Sequence, residues 1–132
     1  MFTTTTLDRF STEHIIWMTT VNGKGQPQTS PVWYLWDGEV FWVYSLDPTG
    51  RLNNLAVNPK VSLNLNCDDA GSDIVTIDGE AEVVADAPSA AEAEAYVDRY
   101  RDRMERGWGG PERFAAKYPT AIRITPKRVR QG

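Results

Sequence analysis

Residues 28–66 read QTSPVWYLWDGEVFWVYSLDPTGRLNNLAVNPKVSLNLN, and this stretch decides the fold. It predicts two long aromatic strands, Pro27 to Trp36 and Val40 to Ser45, joined at Asp37-Gly38, a dipeptide that favours tight hairpin turns. On the first strand Val32, Tyr34 and Trp36 share one face and Pro31, Trp33 and Leu35 the other; on the second, Val40, Trp42 and Tyr44 oppose Phe41 and Val43. A half-solvated antiparallel strand alternates apolar with polar residues, so two apolar faces mean that each is covered. One face suits a barrel interior. The other calls for a helix, a ligand or a second subunit.

Working outward, Leu46-Asp47-Pro48-Thr49-Gly50 is turn chemistry, and Arg51 to Val57 fits two helical turns that Asn58-Pro59 stops. Val61, Leu63 and Leu65 then alternate with Ser62, Asn64 and Asn66 as a strand buried on one side. Ile74 to Val84 predicts another, with a bulge or bend at Gly79. Upstream, Thr6 or Asp8 caps a short helix, Ile15 to Val21 is a β-branched strand, and Asn22-Gly23 with Gly25 turns it into the aromatic pair. Downstream, Pro88 to Arg106 reads as the long helix. Ser89 and Glu92 have capping-box spacing, and Ala93, Val97, Tyr100 and Met104 fall on one stripe. Glu112 to Tyr118 predicts a second short helix and Thr120 to Thr125 a last strand. The expectation is one domain over residues 1–132, mainly β within the α+β class: an antiparallel meander with one long and two or three short helices.

At 132 residues, a lone domain buries roughly two thirds of its unfolded surface and needs no staples. The single cysteine, Cys67, rules out an internal disulfide framework and points to a reducing cytoplasm. Met1 to Phe10 has neither the basic nor the apolar region of a signal peptide, and no apolar run nears the roughly 20 residues that span a bilayer, so no membrane partner is expected. A net charge of -4 argues against nucleic acid. The basic residues Lys117, Arg123, Lys127, Arg128 and Arg130 nevertheless gather near the C-terminus, where they suit a local anion site.

The chemistry-bearing motifs are few. One histidine and one cysteine give no zinc spacing, Asp68, Asp69 and Asp73 lack the calcium-loop pattern, and no nucleophile-elbow, Walker or dinucleotide fingerprint occurs. No metal site and no catalytic residue is assigned. What remains is a group of donors: the Ser45 hydroxyl, the turn at Thr49 and Gly50, and the Arg51 guanidinium at a helix start, a combination that suits a phosphate.

These residues resemble a known family, the split β-barrel flavoproteins of the pyridoxamine 5'-phosphate oxidase type, and especially their branch dependent on the deazaflavin F420. The likeness rests on PQTSPVWY from Pro27, LWDG, the strand ending in Tyr44-Ser45, Arg51-x-x-Asn54-Leu55 and Asn58-Pro59-x-Val61, in order and spacing across Val21 to Leu65. It implies an antiparallel split β-barrel, a homodimer with the cofactor across its interface, and a role for each matching residue. Ser30, Pro31, Val32 and Trp33 would line the ring system. Ser45, Thr49, Gly50 and Arg51 would hold the phosphate, with Asn54 assisting. Lys127, Arg128 and Arg130 would meet the acidic tail that F420 carries and FMN lacks. Arg51 departs from the family, which usually has lysine there; the charge survives and arginine can hold phosphate bidentately.

The function implied is hydride transfer between F420 and an electron-poor small organic acceptor, with FMN as the alternative cofactor. Trp33, Trp36, Trp42 and the partner subunit would wall the substrate, and Tyr34, Tyr44 or water would supply the proton. A non-catalytic flavin, F420 or haem binding protein is the reading from another class.

Overall fold

A computed structural model describes all 132 residues. In chain order the elements are α1 (Thr4–Thr12), β1 (Ile15–Val21), β2 (Pro27–Trp33), β3 (Leu35–Trp36), β4 (Phe41–Ser45), α2 (Gly50–Val57), β5 (Lys60–Asn64), β6 (Val75–Val84), α3 (Glu94–Trp108), α4 (Pro111–Lys117) and β7 (Thr120–Gln131). The seven strands form one curled antiparallel sheet, a half-barrel, in the order β2-β1-β5-β6-β7-β4-β3. Both prolines of β2, Pro27 and Pro31, sit on an edge strand, where a missing N–H costs no ladder bond.

The order is not the expected simple meander, and the reason lies at Tyr34. There the long aromatic strand breaks: β2 turns to pair with β1, Ile15 opposite Trp33, while β3 pairs with β4 through Leu35–Trp42 and Trp36–Phe41. The Tyr34 N–H leaves the ladder and donates to the Tyr100 hydroxyl at 2.8 Å, while its carbonyl accepts from Arg99 Nε at 2.9 Å. Two side chains of α3 thus take the backbone groups that a continuous strand would have paired.

The two faces of the aromatic strands separate as their alternation predicts. Phe41, Val43, Tyr34, Val32 and Trp36 join Ile16, Met18, Leu63, Ile77, Ile122 and Ile124 in the barrel interior, which Phe10 of α1 closes. Trp33, Leu35, Trp42 and Tyr44 pack instead with Tyr96, Tyr100, Met104 and Phe114. So α3 and α4 of the same chain cover much of the second face.

Three further element boundaries differ from the sequence expectation by more than two residues. Helix α1 starts earlier, capped by Thr3, whose hydroxyl oxygen accepts from Thr6 N at 3.1 Å. Thr6 is instead buried in the helix and donates to Gln131 Oε1 at 2.8 Å. Ser89 and Glu92 do make the reciprocal bonds of a capping box, at 3.0 and 3.2 Å, but they close a separate turn; α3 begins only at Glu94. The last strand runs past Thr125 to Gln131, because the ladder continues across a bulge: Asp78 faces Arg128 while Gly79 faces Pro126, leaving Lys127 as the extra residue. Gly79 is required there, since a Cβ would meet the Thr125 carbonyl oxygen at 3.0 Å.

Candidate functional site

The site forms where the curled sheet brings β2 and β4 towards each other. Helix α2 leaves the end of β4 through the turn at Leu46 to Thr49, and Thr49 caps it by accepting from Leu52 N at 3.2 Å. Arg51, in the first turn, reaches back across the gap. Its Nη2 donates to Ser30 Oγ of β2 at 2.7 Å and its Nη1 to Ser45 Oγ of β4 at 3.4 Å. Ser45 in turn donates to the Leu46 carbonyl at 2.8 Å.

Arg51 makes none of the four ion pairs in the chain. Burial pushes its pKa below the ordinary arginine value, with no carboxylate to offset the effect. The guanidinium stays charged at any physiological pH. A partly desolvated cation held by two hydroxyls and no anion is an electrostatic deficit that a bound phosphate or carboxylate would fill.

The cleft beside Arg51 has a volume of about 380 Å³ and is mostly apolar, walled by Pro31, Val32 and Trp33 of β2, Tyr44 and Leu46, and by Tyr96, Trp108, Phe114 and Tyr118 from the helical side. The sequence reading named the β2 wall and missed the wall from α3 and α4. The only signal was the density of aromatic residues there, Tyr96, Tyr100, Trp108, Phe114 and Tyr118, which reads equally well as helix packing.

The expected site residues are placed as follows. Ser30, Ser45 and Arg51 come together, and Pro31, Val32 and Trp33 line the cleft. The Thr49 hydroxyl oxygen is engaged in the cap, and Gly50 is exposed at the first helical position with open space around it. Asn54 is buried one turn further along α2, its amide donating to Thr20 Oγ1 and Gln28 Oε1, both at 2.9 Å. Arg51–Ser30 and Asn54–Gln28 are therefore two parallel rungs joining α2 to β2. Lys127, Arg128 and Arg130 lie at the far end of β7, seven residues or more from Thr120, the partner of Ser45 in the ladder. Across the curled sheet Lys127 shares a groove with Thr19, Val21 and Pro27, and Pro27 lies three residues from Ser30 on β2. Lys127 there approaches Glu80 at 3.5 Å.

The tryptophans do not share a wall. Trp33 is sandwiched between Tyr100, centroids 4.6 Å apart and planes 2° apart, and Phe114, at 4.8 Å and 9°. Both its faces are taken and only its edge meets the cleft. Trp36 packs among Phe2, Phe10 and Phe41 and lines another groove with His14 and Arg99. Trp42 borders a third cleft and donates to Asp37 Oδ2 at 2.9 Å.

The two tyrosines named as proton donors are committed as well. Tyr34 donates to the Glu13 carbonyl at 2.7 Å and Tyr44 to the Pro88 carbonyl at 2.8 Å, and burial pushes both phenols above their ordinary pKa. Tyr96 differs: its hydroxyl is buried with no partner in the chain.

The family model for pyridoxamine 5'-phosphate oxidase matches residues 2–131. Among solved structures, an F420 reductase is 24% identical, with 89% of this chain and 90% of that one covered, at a TM-score of 0.69. The haem storage protein HutZ of Vibrio cholerae is 20% identical over 99% and 95% of the two chains, with a TM-score of 0.65. A FAD-binding protein of Mesorhizobium loti is 16% identical over 95% and 87%, with a TM-score of 0.69. No curated protein matches the chain.

Proposed function

The chain belongs to the pyridoxamine 5'-phosphate oxidase family, and from that premise we propose that it is an oxidoreductase using the deazaflavin F420 to reduce an electron-poor small organic acceptor. The observation that carries this reading is Arg51: a partly buried guanidinium, paired with no carboxylate, at the mouth of an aromatic cleft sized for a flat ring. The likeness to an F420 reductase supports the choice of cofactor.

When bound, F420 supplies a two-electron hydride donor; the protein supplies position and electrostatics. Arg51, with Ser30 and Ser45, would hold the phosphate. Pro31, Val32 and the edge of Trp33 would fix the ring plane, while Tyr44, Tyr96 and Phe114 keep water from the reacting face. No side chain of this cleft needs to act as a strong acid or base for that work.

One observation favours FMN as the second reading. The anchor at Arg51 is a single cation, enough for one phosphate, and no second basic side chain lines the cleft. A haem-storage role gains less support, because the only histidine, His14, lines a different groove. The protein purified from a host that makes both cofactors, then denatured, is expected to release the deazaflavin spectrum. Release of flavin or haem instead would overturn the choice, and bound F420 with no turnover on a panel of enones and quinones would make the protein a carrier.

A homodimer is part of this proposal. Ile15, Trp17, Thr19 and Val21 form an outward, half-buried and mostly apolar row on β1 that belongs to neither core cluster. Light scattering at micromolar concentration is expected to give twice the 14.8 kDa chain mass, and a clean monomer would count against it. No helix is long and apolar enough to cross a membrane. With one free thiol and no disulfide partner, a reducing cytoplasm completes the proposal.

A further inference from the structure

We propose that the groove on the outward face of β5, β6 and β7 is a second anion site, in which Arg128 and Arg130 hold the phosphate group of a small phosphate ester. The groove has a volume of about 380 Å³ and is lined by Ser62, Thr76, Asp78, Arg128 and Arg130, with no apolar side chain among them. It shares no residue with the Arg51 cleft, so its occupant does not depend on which cofactor that cleft takes.

The two arginines reach this face because of the bulge. Before it, Ile122 and Ile124 of β7 point into the barrel core, so an unbroken alternation would send Arg128 and Arg130 inward as well. The extra residue at Lys127 reverses the phase. Val129 now packs against the core opposite Ile77, and its neighbours Arg128 and Arg130 face outward, opposite Asp78 and Thr76. Asp78 lies in turn opposite Ser62 of β5, and the five residues meet as the walls of one groove. Residues two apart on a strand are about 6.6 Å apart, a spacing from which both guanidinium forks can close on one group.

Charge and donor count define the occupant. Of the basic residues on β7, Arg123 pairs with Glu82 at 2.6 Å and Lys127 with Glu80 at 3.5 Å, whereas Arg128 and Arg130 belong to none of the chain's ion pairs. Asp78, the one carboxylate in the groove, is not ion-paired with either and offsets only one of the two charges. The groove is therefore net positive in a chain whose net charge is -4, and it attracts an anion. With no apolar wall, it offers nothing to a hydrocarbon ring. A carboxylate has two oxygens, which two guanidinium forks already saturate. The terminal phosphate of an ester has three, and so leaves acceptors for the half-buried hydroxyls of Ser62 and Thr76.

The test titrates the full chain with inorganic phosphate at constant ionic strength, followed by amide NMR, in the native protein, Arg51→Ala, Asp78→Asn and the double variant Arg128→Ala/Arg130→Ala. A set of saturable shifts around Ser62, Thr76 and Arg130 is expected in the native protein and in Arg51→Ala. Binding read from that set should weaken at least about tenfold in the double variant and tighten about threefold in Asp78→Asn. Three results would overturn the proposal: no saturable shifts in the groove, shifts that chloride reproduces or the double variant retains, which would mean an adventitious ion only, or weaker binding in Asp78→Asn, which would mean that the carboxylate receives a cation. F420 and FMN are titrated in parallel. A loss of F420 affinity alone in the double variant, with no phosphate shifts in the groove, would assign the arginines to the acidic tail and also overturn the phosphate assignment. The shifts are read without cofactor or turnover, so their failure is separate from failure of the cofactor spectrum.

Discussion

Arg51→Ala is expected to lower affinity for the phosphate-bearing cofactor by about one to two decades, equivalent to the roughly 1.5–3 kcal/mol of a charge-assisted hydrogen bond. The fold should survive the change. Removing a cation that no carboxylate faces strands no opposite charge, the buried Ser45 hydroxyl keeps its bond to the Leu46 carbonyl, and Ser30 is only half-buried, so water can replace the guanidinium there. Arg51→Lys keeps the charge and gives up the planar fork, so it should recover part of the loss. Calorimetric titration with FMN and with F420 checks both variants. The parallel rung guards against a false reading: Asn54 still ties α2 to Gln28 and Thr20, so a weaker Arg51→Ala complex reports the lost cation and not a displaced helix. Equal affinity in native protein and Arg51→Ala would remove the phosphate assignment altogether.

What was legible in the sequence was local. Alternation set the faces of the aromatic strands, the change of period after Ser45 placed α2, Gly79 marked the bulge, and the donors Ser45 and Arg51 lie six residues apart, close enough for one turn to bring them together. What was not legible depends on distant partners. The break at Tyr34 is made by Arg99 and Tyr100, some 65 residues later, so nothing near Tyr34 announces it. Ser89 and Glu92 satisfy a capping box in spacing and in bonds, yet the chain spends them on a turn before the helix begins. Lys127, Arg128 and Arg130 read as a free basic tail because Pro126 looks like the end of a strand, whereas the bulge opposite Gly79 lets the ladder pass it. The three tryptophans, close in sequence, were expected on one wall; the strand break and the alternation of faces send them to three different clefts.

Replacing Tyr100 is expected to have the largest effect on stability, about 3–5 kcal/mol for Tyr100→Ala, because the ring is fully buried and its loss leaves a large cavity between α3 and β2. The hydroxyl contributes separately. It accepts from Tyr34 N at 2.8 Å, and its proton faces two carbonyls, of His14 and Tyr34, each at 2.7 Å. Tyr100→Phe keeps the stack on Trp33 but leaves the buried Tyr34 amide unpaired, at a cost of about 1–3 kcal/mol. The two variants should also differ in signal. Tryptophan emission should change on Tyr100→Ala, which uncovers one face of Trp33 at the cleft wall, and stay near native in Tyr100→Phe. Denaturant titrations followed by that emission give both quantities at once. If Tyr100→Phe unfolds at the native midpoint, the Tyr34 amide has another partner available, and the break that sends β2 to one side of the barrel and β3 to the other is set by something other than α3.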